Sequence, residues 1–365
     1  MSLLFLDSFD HYSTAQLTRK WNQTGAAAIV SNGRTGKGIQ SRGDDMRFSL
    51  EEGQTEISVG MAFRLVSPKT GLRKRILRLE NNGPFEFTVS LFLMEDQRFC
   101  ITFSGSAMGV GHDPLWPPSY PNVRVGNEIW SMPSALSINE DRWYYLELHA
   151  TIAVVAGGSG GTNLEFAVDS YLNEDPLISA DQAGEVDPLE YPPLLTKFTS
   201  VVLEGPGTPG AIFDDVYITD GELLGDIKIG VLYPNAVGAI ASMTPNAAGD
   251  NYTKVNEHTP DDDTTYVYAA AASLEDLYNL DDIGAFTGTI KGAQTCVLAR
   301  KSDTGSATVR AEWKSGATKV DGLEMNPSAV DYIYLLDPRR KSLFTAADWT
   351  VGEIDGLQIG QQRTA

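Results

Sequence analysis

At 365 residues the chain exceeds one typical domain, and 42% apolar with 21% charged residues marks it as globular rather than disordered. Its 28 Lys and Arg against 48 Asp and Glu give a net charge of −20, which repels phosphate backbones and excludes direct nucleic-acid binding. No run of about 20 apolar residues is present to cross a membrane, and the opening M-S-L-L-F-L-D-S-F-D lacks the basic start of a signal peptide, so a cytoplasmic origin is expected.

Taken in chain order, the first part reads as strands separated by turns. In I-S-V-G-M-A-F-R-L (57–65), Ile57, Val59, Met61, Phe63 and Leu65 share one face, and small or polar residues take the other. Similar runs at 86–94, 98–103, 142–155, 164–172, 198–204 and 212–219 predict further strands. A-G-G-S-G-G-T-N (156–163) predicts a flexible hairpin loop; without the Lys followed by Ser/Thr of a phosphate loop, it has no phosphate-binding reading. Alternation along I-F-D-D-V-Y-I-T sets Ile212, Asp214, Val216 and Ile218 on an inward row, with Asp215 opposite. An inward Asp214 needs donors, which the N–H groups of a neighbouring loop can supply. Asp220-Gly221 then forms a turn.

After Gly225 the pattern restarts. I-K-I-G-V-L-Y (227–233) reads as a new strand, and Ser273 as the cap of a short helix over 273–280, with Asp276 completing a capping box. In A-T-V-R-A-E-W-K, Val309, Ala311 and Trp313 alternate with Arg310, Glu312 and Lys314, a half-buried strand with a charged face. D-Y-I-Y-L-L (331–336) and E-I-D-G-L-Q-I-G (353–360) read as the last strands. Cys100 and Cys296 each sit in an apolar run, and both are expected as buried free thiols.

The segments L-D-S-F-D-H-Y, D-R-W-Y-Y-L-E-L (141–148), L-E-F-A-V-D (164–169) and F-D-D-V-Y-I-T-D-G together make the first part resemble the concanavalin A-like, or laminin-G-like, jelly rolls. The continuation G-D-I-K-I-G-V-L-Y-P-N, T-P-N-A-A-G-D-N-Y-T-K-V-N-E (244–257) and D-D-D-T-T-Y-V resembles a two-domain structural protein of tailed bacteriophages, departing from it at Met243, where a tryptophan is expected. The resemblance implies an all-β chain: a jelly-roll sandwich over 1–225 and a smaller β-sandwich domain over 226–365. It also implies a non-enzymatic virion component (tail, neck, fibre or capsid decoration) assembled in a host cytoplasm. Its partners would be other virion proteins and copies of itself, with no nucleic acid, membrane or cofactor.

Two alternatives stand beside that expectation. The Gly- and Pro-rich stretch 104–130 carries His112, Trp116, Tyr120 and Trp130, which could anchor a neighbouring subunit or stack on a host-surface glycan. E-V-D-P-L-E (185–190) has the letters of a β-glucanase strand, with Glu185 and Glu190 as nucleophile and acid, but Pro188 and the surrounding composition predict a loop. Asp214 and Asp215, as strand neighbours, are expected to point apart and to anchor backbone rather than bind metal. D-D-D-T-T (261–265) is expected to be a solvated turn, and His149 a packed side chain. The basic stretch L-R-K-R-I-L-R (72–78) is expected as a strand edge blunted by charge, or as a match for a neighbour's acidic patch.

Overall fold

The computed structural model describes the whole chain except 42–44, 67–73, 82–86, 106–122, 126–127, 132, 157–161, 187–196 and 206–209. The described residues form two compact units, one of Met1 and Trp21–Lys228, the other of Ser2–Lys20 and Ile229–Ala365. Strands through the first 220 residues are β1 (Leu3–Asp7), β2 (Ala28–Val30), β3 (Gly38–Ser41), β4 (Asp45–Gln54), β5 (Glu56–Leu65), β6 (Lys74–Asn81), β7 (Phe87–Leu93), β8 (Phe99–Gly105), β9 (Val123–Val125), β10 (Glu128–Trp130), β11 (Trp143–Ala156), β12 (Thr162–Leu172), β13 (Asp175–Val186), β14 (Phe198–Glu204) and β15 (Ala211–Thr219).

The first unit is an antiparallel sandwich, a β-sandwich jelly roll. One sheet runs β13-β12-β11-β5-β15-β3-β2 and the other β4-β14-β6-β7-β8-β10-β9. The alternation read from 57–65 holds: Ile57, Val59, Met61, Phe63 and Leu65 are all buried. Their row continues across the ladder, where Phe63 pairs with Tyr144 and Val59 with Leu148. From the second sheet, Leu79, Val89 and Phe103 occupy one inward row. The two inner faces meet in aromatic contacts, Phe166 of β12 packing on Phe87 at 5.1 Å and on Phe103 at 6.2 Å. β11 and β12 pair out to Ala156 and Thr162, the hairpin that the glycine-rich run predicts.

The second unit holds β16 (Pro234–Ala241), β17 (Thr244–Pro245), β18 (Val267–Tyr268), β19 (Glu275–Leu280), β20 (Ala293–Ala299), β21 (Val309–Ser315), β22 (Thr318–Met325), β23 (Ile333–Arg339), helix α1 (Val351–Asp355) and β24 (Leu357–Arg363). Its main sheet runs β16-β19-β24-β21-β22, with β20 paired to β23 and β17 to β18. Trp313 stacks on Trp349 at 5.8 Å and donates from Nε1 to Asp337 at 2.8 Å, in a core with Leu280, Ile354 and Leu357.

Four local expectations change here. Residues 227–233 form no ladder, and pairing begins at Pro234. The expected helix over 273–280 is strand β19, paired on both sides, and Ser273 takes φ +67 instead of capping. Asp276, Leu277 and Tyr278 are all buried there, so the strand shows no polar face to betray its period of two. The 353–360 run splits into α1, capped by the Thr350 hydroxyl, and β24. Glu312, placed on a charged outer face, is fully buried between Arg310 (2.9 Å) and Lys319 (3.4 Å).

Candidate functional site

Strand β15 carries a bulge that reorders its faces. Phe213 pairs with Phe63 and Ile218 with Val59, while Asp214 opposes Ala62 and Tyr217 opposes Gly60. One extra residue lies between them, and Asp215 sits at φ +48. Phe213 and Ile218 therefore both register with the core row, and Asp214 with Tyr217 registers on the outward row of the first sheet. The inward position expected for Asp214 is corrected: strict alternation fails where a bulge intervenes.

The anchoring role itself holds, and its donors come from a neighbouring loop. Asp214 Oδ2 accepts from the backbone N–H groups of Arg34 (2.6 Å) and Thr35 (3.2 Å), and Oδ1 from that of Asp215 (2.8 Å). Burial first, and then the charge of Asp215, push the Asp214 carboxyl up to about 7 against the pull of those N–H groups. The charge of Asp215 is thus felt at Asp214. The Arg34 guanidinium lies 3.6 Å from Asp215 Oδ2 and 2.6 Å from Asp226 Oδ1, and 5.5 Å from the centre of the Tyr145 ring. Tyr217 donates to Glu147 and accepts from Leu224 N–H at 2.9 Å, and Gly225 N–H donates to Glu147 at 2.9 Å. Burial raises the Glu147 carboxyl despite these donors. This face is closed over by the chain's own backbone.

The outward face of the second sheet is built differently. Ladder register runs one row through Arg47, Val202, Arg78, Ser90, Thr102 and Trp130. The next row holds Ser200, Glu80, Thr88, Ser104 and Glu128. Glu80 binds Arg47 (3.0 Å) and Arg78 (2.7 Å), and Glu204 binds Arg78 and Arg75, each at 3.2 Å. Arg75 lies 5.9 Å over the Phe92 ring, which packs against Cys100. Val202 lies between Arg47 and Arg78, buried hydroxyls (Ser90, Thr102) follow Arg78 on the row, and the guanidinium-bearing side chains stay 12–34% exposed. Such a surface offers fixed donors and acceptors in a plane, which suits a polyhydroxyl ligand.

Sequence reasoning missed this face. Its signal lay in the 72–78 basic stretch and its continuation, where Arg78 and Glu80 alternate with Leu77 and Leu79. The expected strand edge is corrected: β6 lies inside its sheet, between β14 and β7, and its arginines pair with the chain's own Glu80 and Glu204.

The other predicted residues divide. His112, Trp116, Tyr120 and Glu190 lie outside the described residues, whereas Trp130 belongs to β10 and Glu185 to β13. Glu185 pairs in register with Asn163, so the segment 181–186 is strand where a loop was expected. His149 is a half-exposed neighbour of Glu56, 3.1 Å away. Of the free thiols Cys100 is buried and Cys296 exposed, which corrects the expectation for the second. The 261–265 turn is solvated as expected, with Asp263 64% exposed, and it is also tied: Asp262 pairs with Arg19 at 2.5 Å, and Asp263 with Arg300 at 2.7 Å. Among the described residues no group of three or more His, Cys, Asp and Glu is placed to hold a metal ion.

By sequence the chain matches no family model and no curated protein. By structure it is similar to the marine PL-14 alginate lyase of Aplysia kurodai, with a TM-score of 0.39 and 7% identity over 60% of this chain and 99% of that one. It is also similar to the alginate lyase vAL-1 of a Chlorella virus (TM-score 0.34, 9% identity, 58% and 99%). A third neighbour is the carbohydrate-binding module CBM66 of Bacillus subtilis (TM-score 0.28, 13% identity, 55% and 94%). At these values the likeness is one of fold. It corrects one expectation, that the chain is no enzyme: two of these structures are enzymes, and the fold therefore does not argue against catalysis.

Proposed function

We propose that the first unit is a glycan-recognition jelly roll, and that the outward face of its second sheet receives the saccharide. The observation that carries this is the row from Arg47 to Trp130, in which two arginines flanking Val202, two hydroxyl residues and a terminal tryptophan position follow one another across five strand pairings. Sugar hydroxyls pair with fixed ionic groups, and Glu80 and Glu204 hold the arginines in place before binding, so little side-chain freedom is lost when a ligand arrives. Trp130, at the end of the row, and Trp116 and Tyr120, in the segment that joins β8 to β9, are assigned to stacking on the sugar, with His112 beside them in sequence. The bacteriophage reading drew on the sequence resemblance alone. The neighbours named above are two alginate lyases and a carbohydrate-binding module, which favours the glycan over a virion partner.

A glycan array tests the proposal, with soluble products followed by mass spectrometry in the same samples so that turnover is read together with retention. The expected result is retention of a defined glycan subset, weakened about tenfold by Trp116→Ala or Trp130→Ala, as loss of one stacking contact implies. Folded protein that retains and cleaves no glycan overturns the proposal.

A further inference from the structure

We infer that Lys20 and Asp7 form a self-modification site, where the lysine Nζ and the aspartate Cγ join as an amide cross-link. Both residues belong to the Ser2–Lys20 segment of the second unit, and their side chains are 1% and 0% exposed. Nζ lies 3.2 Å from Asp7 Oδ1. Lys319 and Lys341 of the same unit keep their ion pairs in touch with solvent, at 30% and 49% exposure. Aromatic rings line the buried pair. Nζ is 5.1 Å from the centre of the Phe5 ring and 6.0 Å from that of Tyr12, and Phe5, Phe9 and Tyr12 are fully buried.

Burial by itself raises the Asp7 carboxyl, but Lys20 and then His11 outweigh it and hold the group below the usual carboxylate range. The pair therefore rests as ammonium and carboxylate, two charges kept out of water at a large desolvation cost. An amide removes both charges, and contact between the partners replaces a bimolecular encounter. The neighbouring groups supply the steps. His11 Nε2, 3.5 Å from Nζ, takes a proton from the ammonium when the ring carries its own proton on Nδ1. The amine so freed attacks Cγ, while Phe9 N–H donates to Oδ1 at 3.0 Å, where negative charge develops. Oδ2, which accepts from the Tyr12 hydroxyl, is the oxygen that leaves. One N–C bond forms and one C–O bond breaks. Two of the three ammonium protons end on Oδ2, which departs as water, and the third stays on the amide nitrogen, so no oxidant or other reactant is required.

The intact mass of the full chain, purified and held folded for several days, tests this. Expected is a mass one water below that of the sequence, with proteolysis releasing a branched fragment that joins Asp7 to Lys20. Lys20→Arg keeps the charge without a nucleophilic amine and is expected at full mass. His11→Ala is expected to form the link about a hundredfold more slowly, as loss of a proton acceptor implies. Folded wild-type protein at full sequence mass overturns the inference. So does a one-water loss that maps elsewhere, for example to a cyclised aspartate before a glycine. Because the wild-type mass and its fragment map decide, the outcome is the same whether or not the variants fold.

Discussion

The two outward faces of the first unit use similar residues to opposite ends. On the first sheet, Asp214, Glu147 and Tyr217 take their partners from backbone N–H groups of residues 34, 35, 215, 224 and 225, so the chain itself covers and satisfies them. On the second sheet, Glu80 and Glu204 are met by side chains, and the arginines that meet them keep part of their surface accessible. Backbone partners cannot be exchanged for a ligand without unfolding a segment, whereas partly exposed guanidiniums can be shared. The identity of the partner therefore separates scaffold from binding floor more sharply than residue composition does.

The largest effect is expected where the scaffold face is tightest. Gly60 lies under the Tyr217 ring, and a Cβ at that position would meet ring atoms at 2.0–2.7 Å. Gly60→Val drives a branched side chain into a ring held on its far edge by Glu147 and Leu224, a cost of about 3 kcal/mol or more. Chemical denaturation should show it as a lowered midpoint with an unchanged slope. A wild-type midpoint would mean that Tyr217 moves freely, and the first face would then be no more closed than the second.

A medium effect follows from Asp214. The folded chain holds its proton up to about pH 7, whereas an unfolded aspartate releases it near the ordinary value of 3.8. Between those limits the unfolded state binds fewer protons than the folded one, so stability falls as pH rises from about 4 to about 7 and levels off above. Asp214→Asn keeps one of the two acceptor oxygens without the titration and should flatten that slope by about 1 kcal/mol per pH unit at its steepest. An Asn variant with the full wild-type slope would place the titration elsewhere.

Much of the sandwich was legible because its strands are rich in apolar and β-branched residues. The 57–65 run alternates in residue type and the 198–204 run is apolar at Val201–Leu203, and they appear as β5 and β14. Legibility failed where both sides of a strand are covered, as in β19, and where one inserted residue shifts the register, as at Asp215. Local sequence carries neither the identity of a strand's neighbours nor the position of a bulge. The binding face escaped for a related reason. Arg47, Arg75, Arg78, Glu80 and Glu204 come from three strands that are distant in sequence, and only the ladder sets them side by side. What could be read was the outward alternation of Arg78 and Glu80 with Leu77 and Leu79, which places charges on a face rather than at an edge.

The smallest effect is expected from the hydroxyl pair at the margin of the second face. Thr88 and Ser104 pair across β7 and β8 with their oxygens 2.5 Å apart, both side chains half-buried. Water can take either partner's place, so Thr88→Val and Ser104→Ala should each cost about 0.5 kcal/mol, with a coupling no larger in the double variant. Denaturation midpoints of the four proteins give that coupling directly. A coupling of several kcal/mol would mean that this face, like the first, is held shut by its own hydrogen bonds. Its arginines would then have no surface to share, and the contrast between the two faces would collapse.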